Sequence, residues 1–214
     1  MNAIKFIVTC ILSLIIVKYS YANQYNYDKL ALNVQTNLHT AIINPANTNI
    51  AFNDKDPHTD WVNEMSNRLQ KWIPNELIRK RILMITKYEA ERSGLDPQLV
   101  LSVITVESKF NKYAISKAGA VGFMQVMPFW IKEIGVKNQN LLDTQTNIRY
   151  GCTILKHYIE LEHGNIYYAL GRYNGSRGKN TYPALVLNAY QKYWQTQHRS
   201  LINDNISYQT YALR

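Results

Sequence analysis

The stretch that decides the fold runs from Asp96 to Glu107 and reads DPQLVLSVITVE. An aspartate before a proline is typical of a helix start, because the Asp96 side chain can accept free amide hydrogens and Pro97 fits the first helical turn. The residues that follow are apolar on every side of a helix, which is typical of a helix surrounded by other elements. The sequence therefore predicts a buried central helix that ends near Glu107.

Helical signals continue on both sides of this central helix. Asn75 and the Ser93-Gly94 pair bracket a run of apolar residues at helical spacing, which predicts a helix between them. Further helices are predicted at about 123–134, 147–163, 166–172 and 182–196. Since no alternating pattern is longer than a few residues, we expect a mainly α fold in a single globular domain.

The composition is that of a folded, basic protein. The 214 residues include 24 Lys and Arg against 15 Asp and Glu, a formal net charge of +9, and 46% of them are hydrophobic. This balance excludes a disordered chain, and the length suits one domain. The positive charge favours an anionic partner, which could be nucleic acid, an acidic membrane surface or a polyanionic polymer.

The first 22 residues, MNAIKFIVTCILSLIIVKYSYA, have the features of a secretory signal peptide. Lys5 gives the positive start, Phe6–Val17 is apolar, and small residues precede a cleavage site after Ala22. The apolar run is short for a membrane-spanning helix, which needs about 20 residues, so cleavage is favoured over a membrane anchor. We therefore expect a periplasmic or secreted protein with no stable membrane span after cleavage.

The mature chain is expected to have three parts. Residues 23–60 are polar and Asn-rich and are predicted to form an N-terminal arm or linker, residues 61–200 the folded domain, and residues 201–214 a tail. Cys152 is the one cysteine left after cleavage, and it lies at helical spacing with Ile148, Leu155 and Ile159, which predicts a core position. No pair of histidines has the spacing of a zinc motif, so no metal and no cofactor are expected.

Glu107 is an acidic residue at the end of an otherwise apolar helix. It shares one predicted helix face with Val100, Val103 and Ile104. A carboxyl group against apolar walls has a raised pKa, which suits a general acid working near neutral pH. The alternative is a glutamate of the last helical turn that points into water. Helix periodicity alone leaves both interpretations open.

A longer pattern surrounds Glu107. Residues 107–128 read ESKFNKYAISKAGAVGFMQVMP, and NIRYG at 147–151, ALGRYNG at 169–175 and a closing segment at 182–194 follow. This ungapped pattern resembles the signature of the soluble lytic transglycosylases, which belong to the lysozyme-like superfamily together with the goose-type lysozymes. The resemblance covers about 73–194. It implies a lysozyme-like domain of the α+β class with at most a vestigial sheet.

The resemblance also implies roles for single residues. Glu107 would be the only catalytic acid and base. The residues implied as contacts to the glycan or its peptide are Ser116, Gln125, Met127, Tyr173 and Asn174, with the Tyr173 hydroxyl beside Glu107. The residue types alone allow structural roles instead: Ser116 and Asn174 as turn formers, Gln125 as a partner of loop backbone, and Met127 and Tyr173 as core.

Two positions depart from the family pattern. Phe123 stands where leucine is common, and Gly178 stands where many members carry an acidic residue four positions before the tyrosine of the closing helix. Any role of that second acid is therefore absent here or filled elsewhere. No other acidic residue lies between Glu107 and Glu133, so the inventory fits a mechanism with a single carboxyl group.

The activity that the resemblance implies is lytic cleavage of the MurNAc–GlcNAc β-1,4 bond of peptidoglycan, which leaves 1,6-anhydroMurNAc ends. One alternative is a hydrolase of the same bond, like the goose-type lysozymes. Another is an inactive cell-wall-binding component of a secretion apparatus. Nucleic acid is not an expected partner because the basic residues are dispersed. The sequence does not decide whether a protein of the cell-envelope machinery is also a partner.

Overall fold

The computed structural model describes residues 30–43 and 59–196, so the predicted signal peptide and the tail at 201–214 lie outside the described residues. In these two ranges it has eight α-helices and one π-helical segment. They are α1 (Leu32–Ile43), α2 (Thr59–Leu69), α3 (Glu76–Arg92), α4 (Pro97–Glu107), α5 (Phe129–Ile134), α6 (Thr144–Leu161), α7 (Ile166–Tyr173), α8 (Thr181–Ala189) and the π-helix Tyr190–Trp194. From Gln35 onward the described residues form one compact unit.

The central helix α4 is confirmed. The Asp96 side chain accepts a hydrogen bond from the Gln98 amide at 2.9 Å, and Pro97 occupies the first helical turn. Every residue of α4 from Pro97 to Thr105 is buried. Helix α3 also begins and ends as predicted, with Asn75 capping its first turn and Ser93 at its end.

The closing segment of the fold holds α4 near both ends. Helix α4 packs against α3, α8 and the π-helix. The Tyr190 hydroxyl donates to the Asp96 carboxylate at 3.1 Å, and the Trp194 indole donates to the Thr105 hydroxyl at 2.9 Å. Since Trp194 and Thr105 are buried, these bonds fix the position of α4 relative to the end of the domain.

The expected sheet is vestigial. Among the described residues, the antiparallel pairing consists of isolated bridges that join Ile115 to Val121 and Val121 to Val126. The helix predicted from residue 123 is wrong at its start, because α5 begins only at Phe129. The backbone of Gln125 lies in the left-handed region with a φ of 49°, which no α-helix allows. In addition, Met127 precedes Pro128, and the helical conformation is unfavourable for a residue before proline.

Helix α1 lies within 23–60, the segment that the sequence predicts as a polar N-terminal arm or linker. Leu38 and Ile42 on α1 are buried, with 9% and 1% of their surface exposed. The Gln35 side chain donates to the Glu133 carbonyl at 2.6 Å, and a ring nitrogen of His39 lies 3.0 Å from the Ile134 carbonyl. The sequence of α1 has few strong helix formers, so its stability depends on these tertiary contacts, which local patterning does not reveal.

A buried ion network receives the end of α1. The Glu89 carboxylate has no exposed surface and pairs with Arg92 at 3.0 Å and Arg149 at 2.8 Å. Arg92 also donates to the Ala41 carbonyl at 2.7 Å, and Arg149 to the Ile42 carbonyl at 3.4 Å. The two guanidinium groups thus satisfy carbonyls that a helix end leaves free, and they lie where a helix dipole favours positive charge.

Cys152 is a core residue, as predicted. It has no exposed surface, and burial raises the pKa of its thiol well above the usual value. Its neighbours on α6, Ile148 and Leu155, are also fully buried. Among the helices that the structure describes, none is both long enough and apolar enough to cross a membrane.

Candidate active site

Glu107 is the last residue of α4, where the buried helix reaches a partly exposed position. The hydroxyl of Tyr182, at the start of α8, donates a hydrogen bond of 2.6 Å to its Oε1 atom. Tyr182 is buried, with 7% of its surface exposed. A buried tyrosine hydroxyl needs a polar partner, and Glu107 provides it.

The surroundings of Glu107 shift its pKa toward neutral pH. Burial raises its pKa from 4.5 to about 7, while the hydrogen bond from Tyr182 acts in the opposite direction. At neutral pH a carboxyl group with this pKa is present in both protonation states. It can therefore donate a proton in one step and accept one in the next, which is how a single residue serves as acid and then base.

The loop after Glu107 is tied to the rest of the domain. The Ser108 hydroxyl donates to the Phe123 carbonyl at 2.8 Å. The Asn147 side chain, 1% exposed, accepts from the Met124 amide at 2.8 Å and donates to the carbonyls of Val121 and Leu141. One buried amide thus holds three backbone groups, which fixes the loop next to Glu107.

Two glycines allow this loop to lie close to α6. A Cβ atom at Gly122 would come within 2.4 Å of the Asn147 amide nitrogen, and the φ of Gly122 is +77°. A Cβ atom at Gly151 would come within 2.3 Å of the Met124 sulfur. Any side chain at these positions would push the loop away from its anchor on α6.

The Tyr173 hydroxyl donates to the Met124 carbonyl at 2.7 Å. Burial raises the pKa of the Tyr182 hydroxyl well above its usual value, and the nearby Glu107 and Tyr173 raise it further. Both tyrosines therefore belong to the surroundings of Glu107, but they have different partners. Tyr173 binds the Met124 carbonyl of the loop, and Tyr182 binds the Glu107 carboxyl group.

The other implied contact residues have the following places. The Gln125 side chain donates to the carbonyls of Ala114 and Gly122 at 3.2 and 2.9 Å, so its amide nitrogen serves the loop backbone. The Ser116 hydroxyl accepts from the Ala120 amide at 3.0 Å within a turn. Met127 is half-buried, and Asn174 is exposed at the end of α7. These contacts match the structural alternatives for Ser116 and Gln125 and leave substrate contact open.

Tyr182 is the site residue that sequence reasoning missed. In the sequence it stands only as the first residue of the closing segment at 182–194, with no predicted role. Its partner Glu107 lies 75 residues earlier in the chain, and no local pattern reports a contact over that separation. The one available signal is the residue type, because a tyrosine on an apolar helix face needs a partner for its hydroxyl. Within residues 30–43 and 59–196, no group of three or more His, Cys, Asp or Glu could hold a metal ion.

Comparisons with known proteins show what the chain is similar to. A 53-residue segment is 43% identical to the membrane-bound lytic murein transglycosylase C of Actinobacillus pleuropneumoniae serotype 5b, covering 25% of this chain and 14% of that protein. A 66-residue segment is 44% identical to the protein of the same name from Haemophilus influenzae strain PittEE, covering 31% of this chain and 16% of that protein. The matched segments thus span about one sixth or less of these relatives.

Among solved structures, an inactive mutant of the lytic transglycosylase Slt from Pseudomonas aeruginosa matches with a TM-score of 0.40 and 25% identity, covering 50% of this chain and 21% of that one. The family model "Transglycosylase SLT domain" matches residues 84–190. The match includes the loop and both tyrosines as well as Glu107, and it confirms the resemblance found in the sequence. Since it spans half of the 214 residues, the chain belongs to the transglycosylase SLT domain family.

Proposed function

We propose that this protein is a peptidoglycan lytic transglycosylase that cleaves the β-1,4 bond between MurNAc and GlcNAc. The observation that carries the proposal is the half-buried Glu107, whose pKa of about 7 and hydrogen bond from Tyr182 suit an acid that later acts as a base. Family membership supports it, and so do the names of the relatives, which are lytic murein transglycosylases.

The reaction needs one carboxyl group. Protonated Glu107 gives its proton to the glycosidic oxygen, the bond from that oxygen to C1 of MurNAc breaks, and GlcNAc leaves with a hydroxyl group. The acetamido group of the sugar supports the positive charge at C1. Glu107, now a carboxylate, takes the proton of the MurNAc 6-hydroxyl while that oxygen bonds to C1. Because the attack is intramolecular, proximity assists it and no water is consumed.

The wall residues are proposed in roles around this step. Ser116, Gln125, Met127 and Asn174 lie on the loop after α4 or at the end of α7 and would contact the glycan or its peptide. Tyr173 would hold the loop through the Met124 carbonyl. We place the reaction in the cell envelope, in the periplasm or outside the cell, because the proposed substrate is there and residues 1–22 have the composition of a signal peptide.

The product decides between this reaction and hydrolysis. Purified peptidoglycan is digested, and the soluble products are weighed by mass spectrometry before and after borohydride reduction. A lytic transglycosylase releases MurNAc ends that are lighter by one water and resist reduction, and we expect these as the main species. Mainly reducible ends would instead identify a hydrolase with Glu107 as its acid. If neither product forms with folded protein, the chain is an inactive wall-binding component.

A further inference from the structure

The two segments that surround Glu107 in the site contain no acidic residue of their own. Residues 108–132, which form the loop and most of α5, carry lysines at 109, 112, 117 and 132 and neither Asp nor Glu. Residues 163–196, which include Tyr173 and Tyr182, carry Arg172, Arg177, Lys179 and Lys192, again without Asp or Glu. Each of the two segments therefore has a net positive charge of its own.

The cations of the two segments differ in their pairing. Arg172 and Arg177 both pair with Glu162 at the end of α6. On the loop, Lys109 and Lys117 are exposed, and within the part of the chain that the structure describes neither has an ion-pair partner. The Lys112 ammonium lies 5.1 Å from the centre of the Tyr113 ring. We call Lys109, Lys112 and Lys117 the basic rim.

The basic rim lies close to the site along the chain but does not act on the acid itself. Lys109 is two residues after Glu107, and Lys117 adjoins Ser116. The two causes of the shifted Glu107 pKa are burial and the Tyr182 hydrogen bond, neither of which is a positive charge. The rim can therefore attract an anion at the edge of the site while Glu107 remains able to hold its proton.

Apolar surface accompanies the rim. Tyr113 and Ile115 each expose 68% of their surface and lie between Lys112 and Lys117 along the loop. A ligand for this surface should combine negative charge with small apolar groups. The glycan backbone offers no such charge where the lactyl carboxyl group of MurNAc is bound to its peptide as an amide. The peptides themselves carry free carboxylates.

We propose that the basic rim binds carboxylates of the stem peptides, so that the enzyme selects glycan strands whose peptides are negatively charged. This inference rests on the proposed function for its substrate, and it makes Lys109, Lys112 and Lys117 specificity residues. Exposed ion pairs are individually weak and are screened by salt, so the preference depends on several lysines together and weakens at high ionic strength.

The test compares two substrates of the same length. One is native peptidoglycan, and the other is the same material with its peptide carboxylates converted to carboxamides. Binding is measured by co-sedimentation with Glu107→Gln, which needs no cleavage, and turnover is measured with the unaltered enzyme. We expect about tenfold weaker binding and a correspondingly higher KM on the amidated material. Equal binding of both materials overturns the proposal even if no cleavage occurs.

The matched variants are two triple substitutions that remove the same charge. Lys109→Gln, Lys112→Gln and Lys117→Gln together should bring binding of native peptidoglycan down to that of the amidated material. The control combines Lys80→Gln, Lys87→Gln and Lys156→Gln, three lysines that pair with glutamates on helix surfaces away from the loop. If the control loses as much affinity as the rim variant, net charge rather than the rim is responsible, and the proposal is wrong.

Discussion

The Tyr182 hydroxyl lies 2.6 Å from Oε1 of Glu107 and joins the first turn of α8 to the last residue of α4. Glu107 is largely buried, and the Tyr182 hydroxyl is the donor that orients its carboxyl group. It also moderates the acid, because a donor to the carboxylate lowers the pKa that burial raises. The geometry and the acidity of Glu107 therefore depend on the same contact.

The first prediction concerns Glu107→Gln. The amide keeps the shape of the side chain but cannot donate and recover a proton, so activity should fall on the order of 10²- to 10⁴-fold. The measurement is release of soluble muropeptides by equal amounts of folded protein, with circular dichroism as the control for folding. Release at the unaltered rate would remove Glu107 from its role.

The same variant should change the dependence of stability on pH. The folded-state pKa of Glu107 is raised from 4.5 to about 7, so its contribution to stability is fully present below pH 4.5 and is lost as the pH rises through about 7. The unaltered protein should therefore lose Tm between pH 5 and pH 8. Glu107→Gln should lose less over this interval, because its side chain does not ionise. Equal losses would show that Glu107 does not have a raised pKa.

The second prediction concerns Tyr182→Phe and the pH profile. The first step requires protonated Glu107, so kcat/KM of the unaltered enzyme should fall as the pH rises through about 7. Removing the hydroxyl removes a donor that lowers this pKa, so the fall should move to higher pH. Activity on the low-pH plateau should drop roughly tenfold because the acid loses its orientation. An unshifted profile would mean that Tyr182 is only a core residue.

The start and path of α4 could be predicted from the sequence because their causes are local. Asp96 caps the helix through an amide two residues away, and the apolar residues that follow identify a buried helix wherever they occur. The loop motif likewise led to the proposal of Glu107 as the catalytic residue. Tyr182 could not be assigned, because its partner is distant in the chain and its residue type is compatible with an ordinary core position.

Helix α1 could not be predicted for a related reason. Few of its residues are strong helix formers, and two of its last carbonyls accept hydrogen bonds from Arg92 and Arg149, which belong to α3 and α6. Nothing within 23–60 reports those partners. Helix α5 starts later than predicted because the left-handed conformation of Gln125 goes with contacts between its side chain and the loop backbone, and apolar spacing does not report those contacts.

The third prediction separates the two tyrosines. Tyr173→Phe removes the bond to the Met124 carbonyl, which lies 2.7 Å from the hydroxyl. The free energy of unfolding should fall by about 1 kcal/mol, the usual contribution of one hydrogen bond. Turnover should fall because the loop next to Glu107 is released, while the pH profile should stay where it is. Unchanged turnover under saturating substrate would reduce Tyr173 to a core residue.

The fourth prediction tests the anchor of the loop. Asn147→Ala leaves the Met124 amide and the Val121 and Leu141 carbonyls without their buried partner. We expect a loss of about 2–4 kcal/mol in the free energy of unfolding, measured with urea, and a loss of activity. The control is Asn188→Ala on the exposed face of α8, which should change stability by less than about 0.5 kcal/mol. Comparable losses of stability in the two variants would show that Asn147 does not anchor the loop.

The last prediction concerns the network that receives α1. Glu89→Ala removes a fully buried carboxylate and leaves Arg92 and Arg149 without their counter-charge. Breaking a buried ion pair in this way costs about 3–5 kcal/mol, and urea unfolding measures it. Because the same guanidinium groups bind the Ala41 and Ile42 carbonyls, backbone amides of α1 should also exchange hydrogen faster.

Glu91→Ala provides the control for this network, because Glu91 lies on the same helix and pairs with Lys87 at the surface. Loss of an exposed pair costs about 0–1 kcal/mol and should leave exchange in α1 unchanged. If Glu89→Ala destabilised the protein without faster exchange in α1, the network would support α3 and α6 alone. Faster exchange confined to Glu89→Ala would show that α1 is held by charges from helices that no pattern within its own sequence reveals.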